Sequence, residues 1–197
     1  LYVTDNLKEF LIKNPQQAIQ NTEWKIADLE KELEHVGHQR NFVRGQQLFK
    51  KLACAQCHKL DENSITLGRN LTIGPNLDEV VKKKHKSDPK AVLSEILDPS
   101  RKIEDKYRTV LLVLEDGTTL NGNIVSENKT ELTILTGPPE IKEKKVDKSA
   151  IEARRSSPVS IMPVGLLNSL DKEQILDLLA YVLALGKEGD AAFKHDR

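Results

Sequence analysis

The chain has 197 residues, 38% hydrophobic and 30% charged, and its 30 basic and 30 acidic side chains leave no net charge. That length can bury a sizeable core in one or two domains. The balanced charge supplies no global field toward nucleic acid or an anionic membrane, and no apolar run approaches the ~20 residues that cross a bilayer.

Residues 1–40 read as polar and helical, as an N-terminal extension or the end of an upstream domain. No signal peptide is evident, and the first residue is Leu1, so the natural start is expected upstream. Within "TEWKIADLEKELEHVG", Thr22 is a candidate N-cap, and Ile26, Leu29, Leu33 and Val36 recur at helical spacing. Gly37 is the expected stop. A second helix is expected after Asn41, with Phe42, Phe49 and Leu52 on one face. Gly45 inside it costs about 1 kcal/mol against alanine, which makes sense where another helix approaches closely.

That helix runs into "CAQCH", Cys54 to His58, which holds both cysteines of the chain and one of its five histidines. Three chemistries share the pattern. A thioredoxin-like dithiol sits between a strand and a helix, whereas here a helix precedes the motif. A zinc site needs four ligands, and His35, His38 and His85 are scattered with no second Cys pair. C-x-x-C-H is also the attachment pattern for c-type haem, in which each thiol forms a thioether with one vinyl group. The adjacent histidine then faces the iron, and the spacing favours this third reading.

Residues 61–78 read as a loop containing "IGPNL", and "DPKAVLSEILDPS" as a helix ended by Pro99. The period then changes. "YRTVLLVLEDGTTLNGNIVSENKTELTIL" is β-rich, with a hairpin turn at Asp116-Gly117 and a second near Asn128-Lys129. "IKEKKVDKSAIEARR" adds one or two strands, giving a sheet or small barrel over roughly 107–155. Its strand–DG–strand opening resembles Sm-like and SH3-like barrels. RNA binding is disfavoured, since no basic face studded with aromatics is present.

Beyond it lies Met162, the one methionine, 104 positions (162 − 58) after His58. A six-coordinate electron-transfer haem commonly takes Met or His as its distal ligand, so Met162 is the candidate. The last helix, "SLDKEQILDLLAYVLALG", has Asp171 and Gln174 as a capping box and Leu170 with Ile175 as a hydrophobic staple. Ile175, Leu178, Leu179, Val182 and Leu185 form its buried stripe, Gly186 its stop, and 187–197 a frayed tail.

Together, Gly45, Phe49, "CAQCH", "GPNL", "MP" at 162–163 and "LLAYVLAL" resemble a class I c-type cytochrome. The resemblance implies crossed first and last helices with Gly45 at their contact. It also implies a Pro75 carbonyl accepting from His58 Nδ1–H, and Met162 as distal ligand. Small members of that class lack a β-rich segment between "GPNL" and the methionine. With it, residues 41–186 more closely resemble the haem-binding domain of planctomycete and verrucomicrobial proteins, which often closes a longer chain.

The expectation is therefore a mainly α cytochrome c fold over 41–186 with a small β-rich insertion between the attachment motif and the distal methionine. One covalent haem c would bind through Cys54, Cys57, His58, Pro75 and Met162, with His58 and Met162 on the iron. Such a module carries electrons and is not itself an enzyme. Its partner would be a redox protein or an upstream catalytic domain, with no nucleic acid and no membrane span. Covalent haem chemistry points to the periplasm or another extracytoplasmic space. A haem enzyme or gas sensor with a labile sixth ligand, or a non-redox docking module, are the competing functions. Arg69 and Arg101 are candidates for the haem propionates.

Overall fold

The computed structural model describes residues 21–61, 73–84, 87–137 and 141–194. The first half of the expected N-terminal extension (residues 1–20), Arg69 and His85 lie outside these residues. Five α-helices are described: α1 (Ile26–Leu29), α2 (Phe42–Lys51), α3 (Cys54–Cys57), α4 (Pro89–Leu97) and α5 (Lys172–Leu183). Five strands lie between α4 and α5: β1 (Val110–Leu114), β2 (Thr119–Glu127), β3 (Glu131–Thr136), β4 (Lys142–Asp147) and β5 (Ile151–Ser156). The fold is thus not the mainly α one that the sequence reading expected. The β segment yields five full strands, while the helix expected from Thr22 is a single turn.

The late start of that helix is set by contacts distant in sequence. Thr22 is not its cap; its N–H donates to Asn168 O at 2.9 Å, and Trp24 Nε1 donates to Leu170 O at 3.2 Å. These ties hold the segment extended until Lys25. After α1 the chain tightens into a 3₁₀ turn, Glu32–His35. The apolar stripe nevertheless faces inward: Leu29, Leu33 and Val36 are buried in the same core as α2 and α5.

Helix α2 starts where expected, with the Asn41 side chain accepting from Arg44 N–H. It packs on α5 with Gly45 at the contact, where a Cβ would lie 2.4 Å from the Asp177 carbonyl oxygen. No rotamer relieves a clash with backbone, so the approach requires glycine. Asp177 itself, 1% exposed, accepts from Asn41 N–H and Arg44 Nε on the α2 start. In α5 the Asp171–Gln174 capping box is present as expected. The tail does not fray at once: Phe193 stacks edge-on against Phe42 at 5.2 Å, and Arg40 N–H donates to Ala192 O at 2.8 Å.

The sheet is antiparallel throughout, in the order β4-β3-β2-β1-β5. Its hairpins fall at the expected turns: Gly117 adopts φ +81°, and Asn128 Oδ1 accepts from Thr130 and Glu131 N–H. Alternation sends Val110, Leu112, Leu120, Leu132, Ile134 and Val146 into a second core, distinct from the helical one. The chain enters and leaves the sheet at one place. Ser157 N–H donates to Thr109 O at 2.9 Å, Val110 pairs with Ser156, and Arg108 donates to the Ser157 and Ile103 carbonyls. This clasp returns the chain to the helices beside the point where it left them.

Candidate functional site

Between α2, α3, α4 and α5 lies a cavity of about 320 Å³, walled largely by apolar side chains. Cys54, Cys57, His58, Pro75 and Met162 all line it, so the structure brings together the five residues singled out in the sequence. Phe49, Leu77, Val92, Leu178 and Val182 belong at once to this wall and to the helical core.

The cysteines stand on α3, a single turn. Ala53 before it takes a left-handed conformation, φ +60°, which turns the chain sharply out of α2. His58 N–H donates back to Cys54 O at 3.0 Å and closes the turn. Both thiols are free, and burial pushes them up, Cys54 to about 11. They therefore remain neutral at physiological pH.

His58 is held from two sides. Its Nδ1 lies 2.9 Å from Pro75 O, which fixes Nδ1 as the protonated donor and leaves Nε2 as the nitrogen with a free lone pair. Burial lowers the imidazole below its ordinary value, against the opposing effect of the Pro75 carbonyl, and so favours the neutral ring. On its flank lies Gly74, where a Cβ would sit 2.5 Å from His58 Cε1 and 2.8 Å from Nδ1. Only a glycine lets this backbone lie against the ring.

Met162 reaches the cavity from a different part of the chain. Its N–H donates to Ser160 Oγ at 3.1 Å, and Ser160 N–H donates to Ser100 Oγ at 3.1 Å. The methionine loop is thereby tied to the residue that follows Pro99 at the end of α4.

The segment after Pro99 supplies Lys102, Glu104 and Tyr107 to the polar part of the wall, beside Gln56, Glu95 and Ser160. Lys102 is the cationic side chain of the wall among the described residues. Arg101 does not line the cavity; its guanidinium lies 4.0 Å from Glu95. One position in a loop separates the two, and loop sequence carries no periodicity that would choose between them.

Sequence reading missed Gly74, Ile73 and Asp177. A glycine directly before the proline in "IGPNL" was the available signal for the first. For Asp177 the signal was an acid inside the buried stripe of α5, where a charge needs a partner.

A planar, mostly apolar group with two anionic arms fits this site. The wall is apolar with a polar edge, two thiols stand one turn apart, and a neutral imidazole presents a free nitrogen. Residues 42–108 match the cytochrome c family. The chain therefore carries a c-type cytochrome domain, and its cofactor is covalently bound haem c with iron. The matched stretch ends just before β1, so the sheet and the Met162 loop lie beyond it. No curated protein matches the chain. No helix among the described residues is long and apolar enough to cross a membrane.

Proposed function

We propose that the protein is a monohaem electron carrier in which Cys54 and Cys57 hold the haem, and His58 and Met162 hold its iron. One observation carries the reading: His58 and the sole methionine line one cavity although 104 positions (162 − 58) separate them. The haem supplies one-electron chemistry when bound. The chain's own residues set its terms. The His58 Nδ1–H bond to Pro75 orients the ring and makes Nε2 a stronger donor. Methionine opposite histidine raises the potential relative to two histidines. The largely apolar wall would shield the iron from water, and Lys102 and Tyr107 in that wall would be available to the carboxylate arms.

The Thr109–Ser157 clasp supports an architecture in which the sheet interrupts a cytochrome unit of residues 41–186, with 21–40 packed on its core. Electrons would pass to a redox partner or an upstream domain by a small, weak interface, under about 1,200 Å². Extracytoplasmic maturation follows from the thioether chemistry. The test is the Met162→Ala variant of the haem-loaded protein. The wild type should show the red charge-transfer band of Met-ligated ferric haem, and the variant should lose it together with a fall in potential. A wild type without that band, or a variant that keeps it, refutes His58/Met162 ligation.

A further inference from the structure

The role of the sheet is the part of the molecule that an electron carrier does not require. Three consecutive residues connect it to the haem site. Ile73 is 2% exposed and lines the cavity. Its Cδ1 lies where a Cβ on Gly137, at the end of β3, would approach to 3.0 Å, and the same Cβ would lie 3.3 Å from Ile141 Cγ1. Gly137, just past β3, thus abuts the Ile73 side chain, and Ile141 packs beside the same glycine. The next residue, Gly74, lies flat against the His58 ring, and its N–H donates to Cys57 O at 2.9 Å. The third, Pro75, accepts the His58 Nδ1–H. Two residues on, Leu77 N–H donates to Lys59 O at 2.8 Å and closes the wrap around the histidine.

We propose that the sheet positions the proximal histidine: Gly137 abuts Ile73, and Ile73 holds the Gly74–Pro75 backbone against His58. Ile73 is a positioning residue, acting on the iron only through the imidazole. The sheet thereby sets the strength of the Nδ1–H bond to Pro75, and with it the electron density that His58 offers. A five-stranded unit with its own closed core is a stiff support for this purpose. The surrounding loop has no regular structure of its own over Ile73–Asn76.

The proposal rests on His58 as the proximal ligand, and a double-variant cycle tests it on the haem-loaded protein. Gly137→Ala pushes a methyl into Ile73 Cδ1, and Ile73→Val removes that Cδ1. The readouts are the His58 Nδ1–H resonance and the reduction potential. Ile73→Val loosens the Pro75 carbonyl, so the resonance should move and the potential rise. Gly137→Ala should move both in the wild-type background and neither in the Ile73→Val background. Leu120→Ala, which opens the sheet's own core, should lower stability and leave the His58 resonance in place. The proposal is overturned by a Gly137→Ala effect that persists without Cδ1, or by a Leu120→Ala shift of equal size. A wild-type resonance in Ile73→Val overturns it too, and that arm decides the matter if Gly137→Ala fails to load haem. Failure of the ligand assignment is read separately, from the charge-transfer band of the wild type.

Discussion

The two hydrophobic cores of this molecule are built on different terms. The sheet's core is closed: Leu112 and Ile134 are fully buried, and none of its members lines the cavity. The helical core is open on one side, since Phe49, Leu77, Val92, Leu178 and Val182 face both their neighbours and the cavity. Apolar surface at about 25 cal/mol per Å² gains nothing until it is covered. The helices therefore depend on the haem to complete their packing, whereas the strands depend only on one another. A chain can carry a self-sufficient part and a ligand-dependent part side by side, and the clasp between Thr109 and Ser157 keeps them in register.

The strongest way to break this comparison is to withhold the haem. In Cys54→Ala, covalent haem retention should be lost or nearly lost. In chain made without haem maturation, amides of α2 and α5 should exchange rapidly while those of β1 to β3 stay protected. Equal protection of helices and strands would show that the helical core closes by itself. Next comes Leu112→Ala in the middle of the sheet, expected to cost about 3–4 kcal/mol in denaturant unfolding. The haem absorption spectrum should not change; a spectral change would mean that the cores are not separate. Gly45→Ala forces a Cβ against the Asp177 carbonyl, and about 2–3 kcal/mol of stability should be lost on the helical side. A melting temperature equal to that of the wild type would show that α2 and α5 can part without penalty.

The smallest effect concerns Glu127, exposed at the end of β2. Lys148, with Arg154 beside it, holds its carboxyl below the ordinary 4.5. Because the folded carboxyl is depressed, its contribution is present above the unfolded range and fades as pH falls through the folded value. Glu127→Gln should therefore lower the melting temperature slightly at about pH 7 and not at about pH 3. A difference that grows toward acid would reverse the sign and exclude these ion pairs as its source.

Much of the frame was readable because its signals are local. The Asn41 cap, the Asp171–Gln174 box, the turns at Gly117 and Asn128 and the α5 stripe are each settled within a few residues. The site residues were readable by chemistry, since a C-x-x-C-H motif and a single methionine leave few combinations. What escaped was set by distant contacts. Thr22 cannot announce that Asn168 will take its N–H, and Phe193 gives no sign that Phe42 awaits it. Ile73 looks like any loop isoleucine until the sheet closes on it. The helix expected from Thr22 failed for the same reason. Its stripe was correct, but tertiary hydrogen bonds fixed the backbone that propensity would have coiled.

The clasp at the neck of the sheet also bears on how the chain reaches this state. Joining His58 to Met162 directly would close a loop of more than a hundred residues. Closure entropy grows with the logarithm of loop length, at about 0.6 kcal/mol for each doubling. Once Thr109 and Ser157 have met, the remaining path between His58 and Met162 is roughly half as long. Hairpins form in microseconds from contacts close in sequence, so β1 to β4 can assemble early and β5 then pairs with β1 to close the clasp. The search that brings the methionine to the cavity then begins from a shorter chain.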